Sequence, residues 1–328
     1  MNLVLFAEIL TLINSMKKSI AILLIALIVL TGCIYFFIPA TIVVDKSIKV
    51  DNNLRSAYRC FSESRNWPRW WPEKTNENGL QLDGNTFIVK YSTTSSVFVD
   101  INSSSLIVPS SLTFIPEEKN TTKLNWSTSI NTGNNPIKRL QAYFAVKKMA
   151  TQIETLLKKM SSFGSSTANL YGLDIRRELV KDSALVSILD SSVGFPTNEK
   201  IYSLANQLSE YVQSQQASVT GSPMLNLLTK DNIHYQVKVA LPTSRPLLSK
   251  GKIEYRWMLP NGNILTADAT GGQKSIDSAF AIVENYVQDH QLMAPAIPFY
   301  SFITNRLTEK DSTKWITRIY YPVMYYYD

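Results

Sequence analysis

The chain has 328 residues, room for about two domains of ordinary size, and with 45% hydrophobic and 18% charged residues it is globular material apart from its first 40 residues. Its net charge of +7 is spread along the chain, with Lys138/Arg139, Lys147/Lys148 and Lys158/Lys159 beside the apolar face of one long helix, and no nucleic-acid reading motif accompanies it. Nucleic acid is therefore not expected as a partner. Only two cysteines and two isolated histidines are present, which leaves no disulfide framework, no metal-ligand spacing and no expected cofactor.

From Ile20 to Ile38 the chain carries no charge over 19 residues. At about 1.5 Å per residue, such a helix covers a hydrocarbon core of about 30 Å. The sequence thus predicts a transmembrane helix over about 19–38, following an N-terminal tail. Lys17 and Lys18 precede it and Pro39 to Val44 are uncharged, so the positive-inside bias puts the N-terminus in the cytoplasm and the rest outside a bacterial inner membrane. A cleaved signal would have a shorter apolar region with a small-residue cleavage site. Leu30 to Cys33 also matches a lipobox, but the bulky Ile34, Tyr35, Phe36 and Phe37 after Cys33 disfavour a lipoprotein. Both Met1 and Met16 are candidate starts, since Met16 opens the n-region-like MKKSIAILL.

The first soluble region is expected over 40–163. Alternation in Thr41 to Val50 predicts a strand, and Asp51 is read as capping a short helix that buries Leu54, Tyr58 and Phe61. The loop NWPRWWP, residues 66–72, holds three of the six tryptophans. Strands are then predicted over Gly79–Tyr91, Val97–Ile101, Ser105–Ile115 and Thr122–Asn131. A long helix from Pro136 to Met160 closes the region.

The entry IVVDKSIKV, the NWPRWWP loop and the terminal helix resemble the SRPBCC (START-like, polyketide cyclase-like) helix-grip superfamily. The resemblance implies a sheet curled around the long helix over an apolar cavity, with Trp67, Trp70 and Trp71 near its mouth. By their size alone these tryptophans are as readily core or lid packing, and tryptophan also suits a headgroup layer.

A linker follows, SSFGSSTAN at 161–169, placed between the regions at 164–170; the second region is expected over 171–328. Here a spacing occurs twice. Ile201, Leu204, Ala205, Leu208, Tyr211 and Val212 form one helical stripe, and Ile276, Ala279, Phe280, Val283, Tyr286 and Val287 repeat its offsets 75 residues later. Pro223 and Pro298 lie eleven residues past the respective stripes, each opening a β-like run. A duplicated unit of helix and strands is predicted, whose halves pack together across a seam suited to a pocket. Ile253–Leu259 and Asn263–Ala269 flank a PNG turn and are expected as strands joined there.

IYSLANQLSEYV, TGSP, VALP, Gly271–Gly272 and KWITRIYYPV together resemble the GyrI-like (AraC effector-binding-like) fold. The resemblance implies a duplicated βαββ domain that binds hydrophobic, often cationic, small molecules between its halves, some relatives being hydrolases. Aligned through Thr304, Tyr300 stands where the family often has a buried glutamate, and Phe302 where it has tyrosine. A phenol with a pKa near 10 makes a poor carboxylate substitute at neutral pH. The groove is otherwise expected to be aromatic, with Trp257, Tyr300 and Phe302 as leading contacts, Tyr255 and Trp315 beside them, and Phe299, Tyr320 and Tyr321 nearby. The same set is equally suited to a plain hydrophobic core.

The fold class expected is α+β: an N-terminal transmembrane helix, a helix-grip antiparallel sheet domain, then a duplicated βαββ domain. The function expected is membrane-tethered binding or sensing of a hydrophobic small molecule or lipid. The alternatives are a hydrolase or cyclase-type enzyme, or an envelope scaffold with filled cavities. For an enzyme, Glu178, Asp190, Glu254, Asp268 and Glu284 are available, and none stands in a recognisable motif.

Overall fold

A computed structural model of the chain describes residues 2–73, 79–103, 106–181 and 183–324, with side chains described from residue 17 onward. The fold is α+β, with two antiparallel sheets in two compact units, Met1–Ser165 and Ser166–Asp328.

The first unit begins with helix α1 (Asn2–Phe37), whose segment Lys17–Phe37 is long and apolar enough to cross a membrane and is not buried against protein. After it come β1 (Thr41–Val50), α2 (Leu54–Phe61), a 3-10 turn at Ser64–Arg69, and strands β2 (Leu80–Leu82), β3 (Asn85–Ser92), β4 (Ser96–Ser103), β5 (Leu106–Glu118) and β6 (Thr121–Asn131). Helix α3 (Pro136–Gly164) closes the unit. The sheet order is β1-β6-β5-β4-β3-β2, a meander whose first strand closes onto its last.

Local chemistry explains three departures from expectation. Asn53, rather than Asp51, caps α2, its Oδ1 accepting from the Ser56 N–H at 2.9 Å. The helix buries Ala57, Cys60 and Phe61, while Leu54 and Tyr58 are half-buried. The run 79–91 is two strands, because Asp83 and Gly84 both take positive φ (46° and 78°) and form a two-residue hairpin loop. Ser105 lies outside the described residues. At the far end α3 runs to Gly164 and a short helix begins at Thr167, so most of the stretch expected as flexible linker is helical.

The second unit comprises α4 (Thr167–Tyr171), β7 (Arg176–Leu179), β8 (Ala184–Val193), α5 (Asn198–Ser214), β9 (Met224–Thr229), β10 (His234–Pro242), β11 (Ile253–Trp257), β12 (Asn263–Thr270), α6 (Gln273–Asp289), β13 (Phe299–Phe302) and β14 (Ile316–Pro322). Its sheet order, β11-β8-β10-β9-β13-β14-β12-β7, reads the same from either end when each strand is replaced by its counterpart. The duplication is therefore a pseudo-twofold about the β9–β13 seam, where Leu225 lies opposite Tyr300.

All six stripe residues of α5 are buried, as are all those of α6 except half-buried Phe280. They pack on one sheet face with Val186, Leu225, Val237, Val239, Leu265 and Ile319. The PNG segment closes no hairpin. β11 pairs with β8 of one half and β12 with β14 of the other, while β7 crosses in the same way to pair with β12. The two crossing segments hold each other through Val180 N–H to Gly262 O (2.9 Å), Asn261 N–H to Val180 O (3.1 Å) and Met258 N–H to Ser183 O (2.8 Å).

Candidate functional site: a groove on the helix-free face

Successive residues of a strand face opposite sides, so each residue facing the helices has neighbours on the other face of the sheet. There Val180, Ile264 and Phe299 form a small core with Met224, Met258 and Tyr320 packed on it. A groove lies on either side of this ridge.

The first groove, of about 320 Å³, has Leu185, Ser187, Met224, Asn226, Lys238, Ala240 and Phe299 in its lining, together with Arg256, Trp257, Met258, Ile297 and Pro322. Trp257, Met258, Ala296 and Pro322 also border an adjoining recess of about 660 Å³. The second groove, of about 220 Å³, is built from counterparts: Ile264, Ser301, Arg318, Tyr320, Glu178, Leu179, Val180 and Met224.

Strand register makes the correspondence explicit. Ala240 pairs with Met224 and Ser187, just as Tyr320 pairs with Phe299 and Thr266. A methyl thus stands in the first groove where a phenol ring stands in the second, stacked on Phe299 with centroids 4.9 Å apart. Lys238 lies opposite Leu189, just as Arg318 lies opposite Asp268.

The electrostatics of the two grooves differ accordingly. In the second, Asp268 accepts from Arg318 Nε (2.7 Å) and Nη2 (3.0 Å) and from Arg176 Nη2 (2.8 Å). The Arg318 guanidinium foremost, with Arg176, holds the Asp268 carboxyl below the usual carboxylate range despite partial burial. Glu178 accepts from Thr266 Oγ1 at 2.7 Å. In the first, Lys238 is half-buried and faces no carboxylate among the described residues of the lining. Arg256 is paired with Glu254, two residues back on its own strand. The described lining holds no carboxylate, histidine or thiol.

The expected site residues divide between the two faces. Trp257 borders the first groove, largely exposed. Tyr255 is half-buried and sits opposite Val186 of β8, on the strand face that the helices cover. Tyr300 is on the helix side, with its ring edge-on to Phe280 at 6.0 Å. Burial raises the pKa of its hydroxyl, which has no hydrogen-bond partner. Phe302 and Trp315 already hold a guest of their own. The buried Arg306 guanidinium carbon is 3.4 Å from the Phe302 centroid and 4.6 Å from that of Trp315. Nη2 of Arg306 donates to Thr317 Oγ1 at 2.6 Å, and burial pushes the pKa down to about 10, which leaves the group charged at neutral pH.

In the first unit Trp67, Trp70 and Trp71 are all buried. Trp67 and Trp71 stack at 5.9 Å, and Trp67 meets Trp126 of β6 edge-on at 6.1 Å. The indole N–H of Trp67 donates to Phe61 O (2.8 Å) and that of Trp71 to Gln81 O (2.6 Å). Metal-binding groups of three or more His, Cys, Asp or Glu are absent among the described residues.

Lys238, Ala240 and Met224 escaped the sequence reading, which had Phe299 only as a neighbour of the expected groove. The signal for them was present in the repeat. Carrying the 75-residue offset from the helices into the strands puts Tyr300 at the position of Leu225, a core residue, and Phe299 at that of Met224.

No family model and no curated protein matches the chain. Among solved structures, the C-terminal domain of EcmrR is similar at 16% identity and a TM-score of 0.39, covering 46% of this chain and 98% of that one. SAV2435 bound to tetraphenylphosphonium is similar at 16% identity and 0.31, covering 46% and 94%. The di-domain ARO/CYC protein BexL of the BE-7585A biosynthetic pathway is similar at 14% identity and 0.31, covering 86% and 85%. At such identities and TM-scores none of the three establishes function for this chain.

Proposed function

We propose that the chain is a membrane-tethered protein whose second unit, of GyrI-like type, binds a hydrophobic small molecule or lipid in the first groove, and whose first unit is of helix-grip, SRPBCC-like type. The observation that carries the binding reading is the contrast between paired grooves: the one lined by Tyr320 holds about 220 Å³ and is edged by Glu178, Lys181 and Arg318, while the one lined by Ala240 holds about 320 Å³ with mostly apolar walls. A volume of about 320 Å³ lies at the small end of the usual range for ligand sites, about 300–1,000 Å³. Trp257, Met224, Met258 and Phe299 supply the apolar contact that such sites use. The described lining holds no carboxylate, histidine or thiol, which supports binding over hydrolysis or cyclisation.

Tethering is supported by the apolar segment Lys17–Phe37 and by what holds its end. Arg139 Nε donates to Ile38 O (2.7 Å), the guanidinium lies 4.9 Å from the Tyr35 centroid, and the Tyr35 hydroxyl donates to Asn134 O. Beside this junction α3 exposes Ile137, Leu140, Tyr143 and Phe144, an apolar stripe suited to the headgroup boundary. With Lys17 and Lys18 ahead of the span, both units lie on the outer side.

The test is binding of the neutral apolar dye N-phenylnaphthylamine to the full chain in phosphatidylcholine nanodiscs, with empty discs subtracted. Ala240→Tyr copies the side chain that the other half already accommodates at this position, so it is expected to fold and to weaken binding at least tenfold. Unchanged binding in this variant refutes the groove as the site.

A further inference from the structure

The grooves also differ in charge, and the difference selects a class of ligand. Arg318 and Lys238 are counterparts on β14 and β10, each projecting onto the helix-free face. Opposite Arg318 the chain supplies Asp268, bound at 2.7 and 3.0 Å; opposite Lys238 it supplies Leu189. One cation is neutralised from within, and its twin is left half-buried with no carboxylate beside it among the described residues of the groove. Removing an ammonium from water without a partner is costly, so an anion placed there recovers more than a neutral group would. Arg256, at the rim and paired with Glu254, adds no net charge with its neighbour.

We propose that the first groove takes a single-chain amphiphilic anion, its carboxylate or phosphate on Lys238 Nζ and its apolar body along Met224, Ala240, Met258 and Phe299 toward Trp257. This rests on the groove being the binding site. It departs from the hydrophobic cations expected from the GyrI-like resemblance, because the first groove's described lining offers no carboxylate, and Asp268 and Glu178 on the same face of the other half are engaged by Arg176, Arg318 and Thr266. The groove has room for one chain rather than two.

The experiment compares dodecanoate, dodecanol and dodecyltrimethylammonium, equal in chain length and different in head charge, on the full chain in phosphatidylcholine nanodiscs with empty discs subtracted. Dodecanoate is expected to bind at least tenfold tighter than the other two. Lys238→Met is expected to reduce dodecanoate binding to the level of dodecanol, and Lys238→Arg to keep the preference. Leu189→Asp, at an exposed position, installs the counter-ion of the other half and is expected to weaken dodecanoate by a similar factor. Including phosphatidylglycerol in the discs separates two sources of the same chemistry: displacement of dodecanoate identifies a bilayer headgroup, and no displacement identifies a free acid. Equal or tighter binding of the ammonium, or indifference of dodecanoate to both Leu189→Asp and Lys238→Met, overturns the anion assignment while dodecanol binding leaves the groove reading standing. Failure of all three probes to bind above empty discs removes both.

Discussion

At the scale of single residues, Asp268 shows how one carboxylate neutralises a cation, Arg318, whose counterpart Lys238 lies opposite Leu189 instead. Its hydrogen bonds to Arg318 and Arg176 depress its pKa in the folded state, so its contribution to stability is complete above the unfolded value near 3.9. That contribution is lost as the pH falls through the lower folded value. About a third of the side chain is exposed, and solvent screening limits the effect. Asp268→Asn is expected to cost about 1–2 kcal/mol at pH 7 and to flatten the fall in stability below pH 4. Urea midpoints at pH 7 and pH 3.5 check this, and equal midpoints for variant and parent at pH 7 would contradict it. Residue identity also misled the reading of the site. Phe302 and Trp315 look like ligand-binding aromatics, and in the structure their faces are taken by Arg306, a partner four residues past the strand whose approach no spacing rule foretells.

At the scale of elements, the helices were legible because their stripes obey one period and each stripe is buried. Strand alternation gave two faces for β13 without saying which one the helices cover, and the structure puts Tyr300 on the helix-covered one. The polar residues in register, Lys238, Ser187, Asp268 and Arg318, mark the helix-free face more reliably than any aromatic. The PNG segment was beyond local reading, since crossing and hairpin closure make the same demand on three residues. Packing at element ends is equally invisible in sequence. A Cβ on Gly164 would come within 2.7 Å of Val50 Cγ1 and 3.1 Å of two Phe61 ring atoms, and both of these neighbours are fully buried. Gly164→Ala gains helix propensity of up to about 1 kcal/mol but overpacks the junction of α3, β1 and α2. A net loss of about 1–2 kcal/mol is expected in thermal or urea unfolding, and any stabilisation would show that the junction yields.

At the scale of the whole molecule, two sheets and an apolar leading helix follow from patterns that composition and periodicity carry. The pocket does not, because it depends on which half received the smaller residue at one position. If Lys17–Phe37 anchors the chain, alkaline carbonate is expected to leave the full-length protein in the membrane fraction and to release a variant beginning at Ala40. Intact-mass measurement is expected to find the 17–37 segment retained; a mature chain starting at or after Cys33 would place the protein among cleaved or lipidated exports instead.

The exchange of β7 and β11 between the halves has a consequence for biosynthesis. When the ribosome has delivered the chain as far as Pro242, β8 and β10 are both available to pair, yet the outer edge of β8 has no neighbour until Ile253–Trp257 emerges, and β7 has none until Asn263–Thr266 does. The nascent first half therefore carries an open strand edge, a template for wrong pairing, through the synthesis of its twin. Completion of the second half is what makes the first one safe from aggregation.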